Sequence, residues 1–376
     1  MKNLPKEIFD REKSLVGFSS SLLKHFHVEP FHETDPEIDR LLEGHKKVCV
    51  FLFDGAGKYN ISLFPHTNKY LISHQKCVIS STNPPTTVAA TNAFLTAKWP
   101  KENGWMGWTQ YIPSLHFPLC VFPDVNDLTG EKMNYYHDGS HFFDRYCPLK
   151  KIDVLMQEKG VNAKLEYLYP LGGEKAPKNY KEMVQHATSF FKNGGEFLYS
   201  YTPHPDKELH QYGVKSLSVW NEFRKINKMI RQFVKENPDV LVISMADHGL
   251  INVKYQDIAL HKELVNCLSL PMSLEGRNAT FFVKEGKKEE FASLFTKYYP
   301  DFVLLTKKEV LEENIFGVGE ENPHFQEFIG DFLAIAVGES VLWNSKQVLN
   351  KKTFLKAHHA GETKEEREIA LSFYNL

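Results

Sequence analysis

The chain has few cysteines, no strong charge of either sign and no long apolar run, and each shortage closes off a class of protein. Its five cysteines, Cys49, Cys77, Cys120, Cys147 and Cys267, are odd in number and form no C-x-x-C pair. That argues against a disulfide framework or a thiolate metal site and for small buried apolar residues. A formal charge of -2 leaves no basic footprint for a nucleic-acid polymer or an anionic membrane. Residues 1–26 mix Lys, Glu, Asp and Arg with apolar positions, too polar for a signal peptide or a membrane span. The expectation is a cytoplasmic protein, in which the sequons at Asn60 and Asn278 are chance matches. No internal repeat and no low-complexity tract is present.

What the chain does have is length for one large core and a smaller addition: 376 residues, 42% of them hydrophobic. Residues 1–45 carry helical periodicity, clearest around 14–26, and read as a helical lead-in. Val48-Cys-Val-Phe-Leu-Phe53 is a continuous apolar, β-branched and aromatic run that stops at Asp54-Gly-Ala-Gly57. Strands buried on both faces read this way. Similar runs lie at 196–201, 240–244, 279–283 and 332–337, and helical patterns intervene at 87–96, 180–192, 215–236 and 288–298. Strands alternating with helices predict an α/β fold with a mostly parallel central sheet, residues 46–376 forming one catalytic domain. The aromatic, Pro- and Gly-punctuated stretch at about 105–180 has no evident place in that sheet. It reads as a cap-like insertion over the site, with Trp105, Trp108, Tyr111, Tyr135 and Tyr136 as pocket-shaping residues.

Several polar residues sit where ligands bind in open α/β sheets, just past the carboxyl ends of strands. Asp54 follows the first run, Asp206 the second, and Asp247 and His248 the third. A turn aspartate followed by glycine is common in itself, and a lone D-x-x-x-H such as Asp206 and His210 is weak. Asp247-His248-Gly249 at a strand end is stronger, because structure alone has little use for that order. Lys356-Ala-His-His-Ala-Gly-Glu-Thr363 adds two histidines, either of which suits by residue type. Carboxylate and imidazole are the ligands that catalytic zinc takes. Together with Asp54, Thr87 and a C-terminal histidine these segments make up a two-metal site and imply a metal-dependent hydrolase. In Ser80-Ser-Thr-Asn-Pro-Pro-Thr-Thr-Val88 the prolines end a strand and a small-residue helix begins. A hydroxyl there is most often a cap, yet it is also where free N–H groups favour an anionic phosphoryl group.

Taken in order, Asp54-Gly55, Thr86-Thr-Val88, Leu95-Thr-Ala-Lys-Trp-Pro100, Pro205 to Gly213, Ala246-Asp-His-Gly249 and His359 to Glu366 resemble the type I phosphodiesterase/nucleotide pyrophosphatase branch of the alkaline phosphatase superfamily. The resemblance spans about 46–366. It implies an alkaline-phosphatase-like α/β/α sandwich with two divalent metal ions, zinc by family habit. Asp206, His210 and His359 would hold one ion, and Asp54, Asp247 and His248 the other. Thr87 would bridge to the second ion as the nucleophile. The family spacing selects Thr87 over Thr86, since Pro100 stands thirteen residues on, and His359 over His358, since Thr363 follows four residues later. Arg277 matches a structural position of bacterial relatives. Asn103, Trp105 and Trp108 fall at substrate-contacting positions.

Departures from the family touch substrate choice and not metal. The aromatic that stacks on a base is Val88, and the asparagine that supports a phosphate oxygen aligns near Trp108. Ala97-Lys-Trp-Pro100 replaces G-L-Y-P, and His204 stands where glutamate is common. The function expected is a two-zinc phosphodiesterase that works through a phosphothreonine on small-molecule phosphoesters. A phosphomonoesterase or phosphonate hydrolase on the same metals is the alternative, with a non-catalytic zinc-stabilised binding protein behind it. Thr87 argues against a sulfatase, and a cofactor-independent mutase would need a serine nucleophile and a larger inserted domain. Because ligating imidazoles must be neutral, activity is expected to decline as pH falls through the histidine range.

Overall fold

The structure is a computed structural model and describes residues 4, 11, 13–133, 140–346 and 354–376. A six-stranded sheet forms its centre, in the order Gln75–Ser80, Glu368–Tyr374, Leu241–Met245, Val48–Phe53, Phe197–Thr202 and Ala163–Tyr167. Val48–Phe53 pairs in parallel with both Phe197–Thr202 and Leu241–Met245, and Ala163–Tyr167 adds a parallel edge. Glu368–Tyr374 alone runs against the others, antiparallel to both of its neighbours. All six residues of Val48–Phe53 are buried, as a strand covered on both faces requires.

A second, wholly antiparallel sheet of seven strands follows the order Phe302–Thr306, Phe332–Ala336, Asn278–Phe281, Ser273–Glu275, Thr109–Ile112, Phe117–Cys120 and Val125–Asn126. Two runs expected in the parallel sheet, near 279–283 and 332–337, belong here instead. Both faces of this sheet are covered. Leu333 and Ile335 enter one core, while Phe332, Ala334 and Ala336 enter another. Burial on two sides erases the alternation that ordinarily marks an antiparallel strand, so these runs look like parallel ones in sequence.

The stretch 105–180 divides between the sheets. Three of its strands extend the second sheet, whereas Ala163–Tyr167 closes an edge of the first. Tyr135 and Tyr136 lie outside the described residues. In the lead-in, Ser14 caps helix Leu15–His25 through Gly17 N. That helix packs on helix Thr87–Thr96, with the Phe18 and Phe94 rings 5.4 Å apart. All five cysteines are free and buried. Asn60 and Asn278 are fully buried, bonded to Leu250 and Asn83. Among the described residues no helix is long and apolar enough to cross a membrane.

Candidate functional site

Five segments, bearing Asp54, Thr87, Asp206, Asp247 with His248, and His359, converge at the carboxyl edge of the central sheet. Asp206 N donates to Asp54 O at 2.9 Å, tying the turn after Phe197–Thr202 to the turn after the first strand. Gly55 makes this approach possible: its φ is +71°, and a Cβ there would stand 2.7 Å from Leu250 Cδ1 and 3.0 Å from Asp206 Cα. Asp247 Oδ1 accepts from Gly55 N at 3.1 Å and from His248 N at 3.0 Å. Its Oδ2 is buried without a hydrogen-bond partner.

Helix Asp206–Tyr212 places Asp206 and His210 one turn apart. His210 Nδ1 lies 2.7 Å from Ala357 O, which can only accept. The Nδ1 therefore carries a proton, and the Nε2 faces Asp206 Oδ1 at 3.3 Å. Lys356 N returns a bond to His210 O at 2.7 Å and draws in the C-terminal segment. The His359 ring then sits 4.1 Å from that of His248 and 5.0 Å from that of His210, with Nδ1 buried and unpartnered.

Thr87 opens helix Thr87–Thr96, after Thr86 in extended conformation and with no side-chain cap. Its Oγ1 lies 3.3 and 3.4 Å from the two Asp54 carboxylate oxygens and 3.1 Å from His248 Nε2. The Tyr201 hydroxyl also donates to Asp54. Thr86 points elsewhere, giving its hydroxyl to Glu275 Oε1 at 2.8 Å.

Three carboxylates and three imidazoles thus meet in one buried cluster. Ligand atoms of Asp206, His210 and His359 lie within 4.8 Å of one another, as do those of Asp54, Asp206 and His248. Asp206 takes part in both groups, and Asp247 borders the second, its Oδ2 3.5 Å from His248 Nε2. Burial, and then the neighbouring Asp247, holds the Asp54 carboxyl well above its ordinary range. Burial likewise raises Asp206 and pushes Asp247 up to about 6. It lowers His248 to about 3 and holds His359, crowded by His248 and His210, well below the usual imidazole value. Depressed imidazoles, crowded carboxylates and three orphaned buried atoms, Asp206 Oδ1, Asp247 Oδ2 and His359 Nδ1, fit divalent metal ions.

A cavity of about 640 Å³ opens from this cluster, with Thr87, Asp206, His210 and His359 on its wall. Trp108 also lines it and is 43% exposed. Asn103 and Trp105 do not. Asn103 is buried, bonding Lys98 O and Trp105 N, while Trp105 gives its indole N–H to Cys147 O and packs edge-on against Phe143. Val88 is buried in the same core, and Tyr111 is buried against Phe282. The other aromatic residues of the cavity, Tyr255, Trp343 and Phe354, come from segments that carried no sequence signal. The Phe354 ring packs edge-on against both, at 4.7 and 4.9 Å. Glu275 was missed as well. Its only trace in sequence is its position beside Gly276 and Arg277.

Residues 48–358 match the type I phosphodiesterase / nucleotide pyrophosphatase family. Among curated proteins none matches by sequence. Murine ectonucleotide pyrophosphatase / phosphodiesterase 5, solved as an inactive threonine-to-alanine variant in complex with AMP, has a similar fold. Its TM-score is 0.64 at 16% identity, over 87% of this chain and 88% of that one. The human counterpart gives a TM-score of 0.62 at 15% identity, over 87% of each chain. Phosphonoacetate hydrolase from Sinorhizobium meliloti 1021, in complex with phosphonoformate, gives 0.63 at 13% identity over 87% and 89%.

Proposed function

The chain belongs to the type I phosphodiesterase / nucleotide pyrophosphatase family of phosphoester hydrolases, and from that premise we infer that it cleaves phosphodiesters of small molecules with Thr87 as nucleophile. The observation that carries this reading is the Thr87 hydroxyl, 3.1 Å from His248 Nε2 and within 3.4 Å of Asp54, at the inner end of a cavity that also reaches Asp206, His210 and His359. The family is metal-dependent, and the six donor residues would hold two zinc ions. Asp206, His210 and His359 would hold one, and Asp54, Asp247 and His248 the other. When bound, such ions supply positive charge that acidifies a nearby hydroxyl and offsets charge on the leaving oxygen.

The residues do the remainder. Asp54 and His248 orient Thr87 Oγ1 toward the cavity, and the free N–H groups of the first helical turn face an anionic phosphoryl group. The ionised Oγ1 forms a bond to phosphorus as the bond to the leaving oxygen breaks, giving a phosphothreonine. Water then attacks phosphorus and displaces Thr87, and two in-line steps give net retention. That the murine relative is inactive with its threonine replaced by alanine supports the assignment to Thr87. A phosphonate with a carboxylate leaving side, the ligand type of the Sinorhizobium enzyme, is less well matched: among the described residues lining the cavity there is no lysine or arginine. The test is a Thr87→Ala variant with its metal content intact, assayed on an activated aryl phosphodiester. Retained turnover would remove Thr87 from the chemistry.

A further inference from the structure

Tyr201 reaches the cluster from inside the central sheet. Its strand, Phe197–Thr202, pairs with Val48–Phe53 on one side and Ala163–Tyr167 on the other, so that Leu52, Tyr201 and Tyr167 stand in one row. Leu168 N also donates to Tyr201 O at 3.0 Å, and Asp54 N to Thr202 O at 3.1 Å. The backbone that carries the phenol is thus held from both sides. The ring is 6% exposed and leans on that of Tyr167, with centroids 5.9 Å apart. From there its hydroxyl donates to Asp54 Oδ2. Tyr199, two residues earlier, faces the same side of the sheet, yet its hydroxyl is buried without a hydrogen-bond partner. Of two like side chains on one face, only Tyr201 reaches a carboxylate.

Besides the neighbouring Asp247 carboxylate, three groups approach the Asp54 side chain: Thr87 Oγ1 at 3.3 and 3.4 Å, His248 Nε2 at 3.4 Å, and the Tyr201 hydroxyl. Two of them have other work in the reaction inferred above. Thr87 gives up its proton to become the nucleophile. His248 Nδ1 lies 3.3 Å from Gly249 O, which can only accept, so Nε2 is the nitrogen left to serve as a ligand. The phenol still has a proton to give. We propose that Tyr201 is a positioning residue that fixes the Asp54 carboxylate for its metal ion. The proposal rests on the reading of Asp54 as a ligand. An ionised, buried carboxylate beside Asp247 gains from a charge-assisted hydrogen bond, and a donor mounted on a paired strand also limits its rotation. Tyr201 is not on the cavity wall, so it acts through Asp54 and not on substrate.

The test is Tyr201→Phe, which removes the hydroxyl and keeps the ring, set against Tyr199→Phe, which removes a buried hydroxyl that bonds nothing. Cobalt(II) is the probe, titrated into metal-free protein against a competing chelator and followed by its visible absorption. Asp54→Asn and His210→Ala assign the two bound ions, each by the bands it removes. In Tyr201→Phe the dissociation constant of the ion assigned by Asp54→Asn should rise about 10–100-fold, the usual loss when support behind a ligand is removed, and its bands should shift. The ion assigned by His210→Ala should stay within about twofold of wild type. Tyr199→Phe should leave both ions as they are in wild type. Melting curves of the metal-free variants fix a temperature at which each is folded, and the titrations are compared there. Both ions within about twofold of wild type in Tyr201→Phe, or both weakened alike, overturns the proposal while leaving Asp54 a ligand. If wild type binds no divalent ion, the reading of Asp54 as a ligand fails and the proposal falls with it.

Discussion

Arg277 and Glu366 form a bidentate pair fully removed from solvent, Nε to Oε1 and Nη2 to Oε2, each at 2.7 Å. Nη1 also donates to Ser340 O at 2.6 Å and Nη2 to Gly338 O at 2.8 Å. Glu366 in turn holds two histidine-bearing turns. Its Oε1 accepts from Gly361 N at 2.8 Å, beyond His359, and its carbonyl accepts from Gly249 N at 2.7 Å, beyond His248. The turn at Gly361 is packed so tightly that a Cβ would come within 2.6 Å of Arg277 Nη2. The sequence reading that placed Arg277 in a structural role thus acquires a specific content: through Glu366 it fixes the spacing of two candidate metal-binding histidines.

Removing one member of such a pair leaves the other buried and unpaired. Glu366→Ala should cost about 3–5 kcal/mol of stability, read by denaturant unfolding of the metal-free protein. The milder Glu366→Gln should remain folded and bind metal about 10–100-fold more weakly, as is usual when support behind a ligand is lost. Unchanged metal affinity in Glu366→Gln would show that the Gly361 turn holds its position without the carboxylate charge.

The adjacent threonines should separate cleanly. Thr87→Ala is expected to lower phosphodiester turnover by on the order of a thousandfold or more while metal content is retained. Thr86→Ala takes a hydroxyl from the buried Glu275 carboxylate and should cost about 1–3 kcal/mol of stability, with turnover changed much less. The reverse order of effects would place the nucleophile one residue earlier.

The convergence of the candidate residues was legible because each follows a strand or a turn with its own sequence signature: Asp54 before glycine, Asp247 and His248 at a strand end, Asp206 and His210 one turn apart. The choice of Thr87 over Thr86 came from family spacing, and the structure aims only Thr87 at Asp54 and His248. Glu275, Tyr255, Trp343 and Phe354 were not legible. They reach the cavity through pairing of distant strands, as when Lys254–Asp257 lies beside Ser340–Trp343, and no local pattern encodes that partnership. Asn103 and Trp105 were placed near substrate by the family resemblance, whereas their hydrogen-bond partners Lys98 and Cys147 lie away from the cavity wall.

Metal binding should compete with a proton on Asp247 and not with one on His248. His248, lowered to about 3 from 6.5, is already neutral across the ordinary working range, so it adds nothing to a decline through the histidine range. Asp247, raised to about 6 from 3.8, keeps its proton in the metal-free fold after an unfolded chain has lost its own. The stability this contributes is complete below about 3.8 and is lost as pH rises through about 6. The His248 contribution has the opposite sign, complete above about 6.5 and lost as pH falls toward about 3. The two oppose between about 4 and 6, so proton release on metal binding is the cleaner observable. Calorimetry in buffers of different ionisation enthalpy should show release that grows as pH falls through about 6 and shrinks in Asp247→Asn. Release independent of pH over that range would contradict the shift.

Chelation offers a broader check. Purified protein should carry about two equivalents of zinc, and their removal should abolish turnover and lower the melting temperature through linkage. On the division of ligands proposed above, Asp206→Asn and His210→Ala should each weaken chiefly the site that His359 completes. Because the Asp206 carboxylate also lies close to Asp54 and His248, loss at both sites in Asp206→Asn would overturn that division.

The aromatic wall carries the last expectation. With Val88 buried, no ring stands directly after Thr87 to stack on a base, and this alone would leave nucleotides poorly held. The cavity, however, gains rings from Trp108, Tyr255, Trp343 and Phe354. Ring faces hold any planar group with little regard for its hydrogen-bond edges, at about 1–3 kcal/mol for each stacked base. Trp343→Ala should therefore lower kcat/KM about tenfold for a diester with a large aromatic leaving group and leave a small alkyl leaving group nearly unaffected. The loss should be similar for all bases in a nucleotide series. A marked loss with one base only would mean that edge recognition, and not stacking on this wall, holds the leaving group.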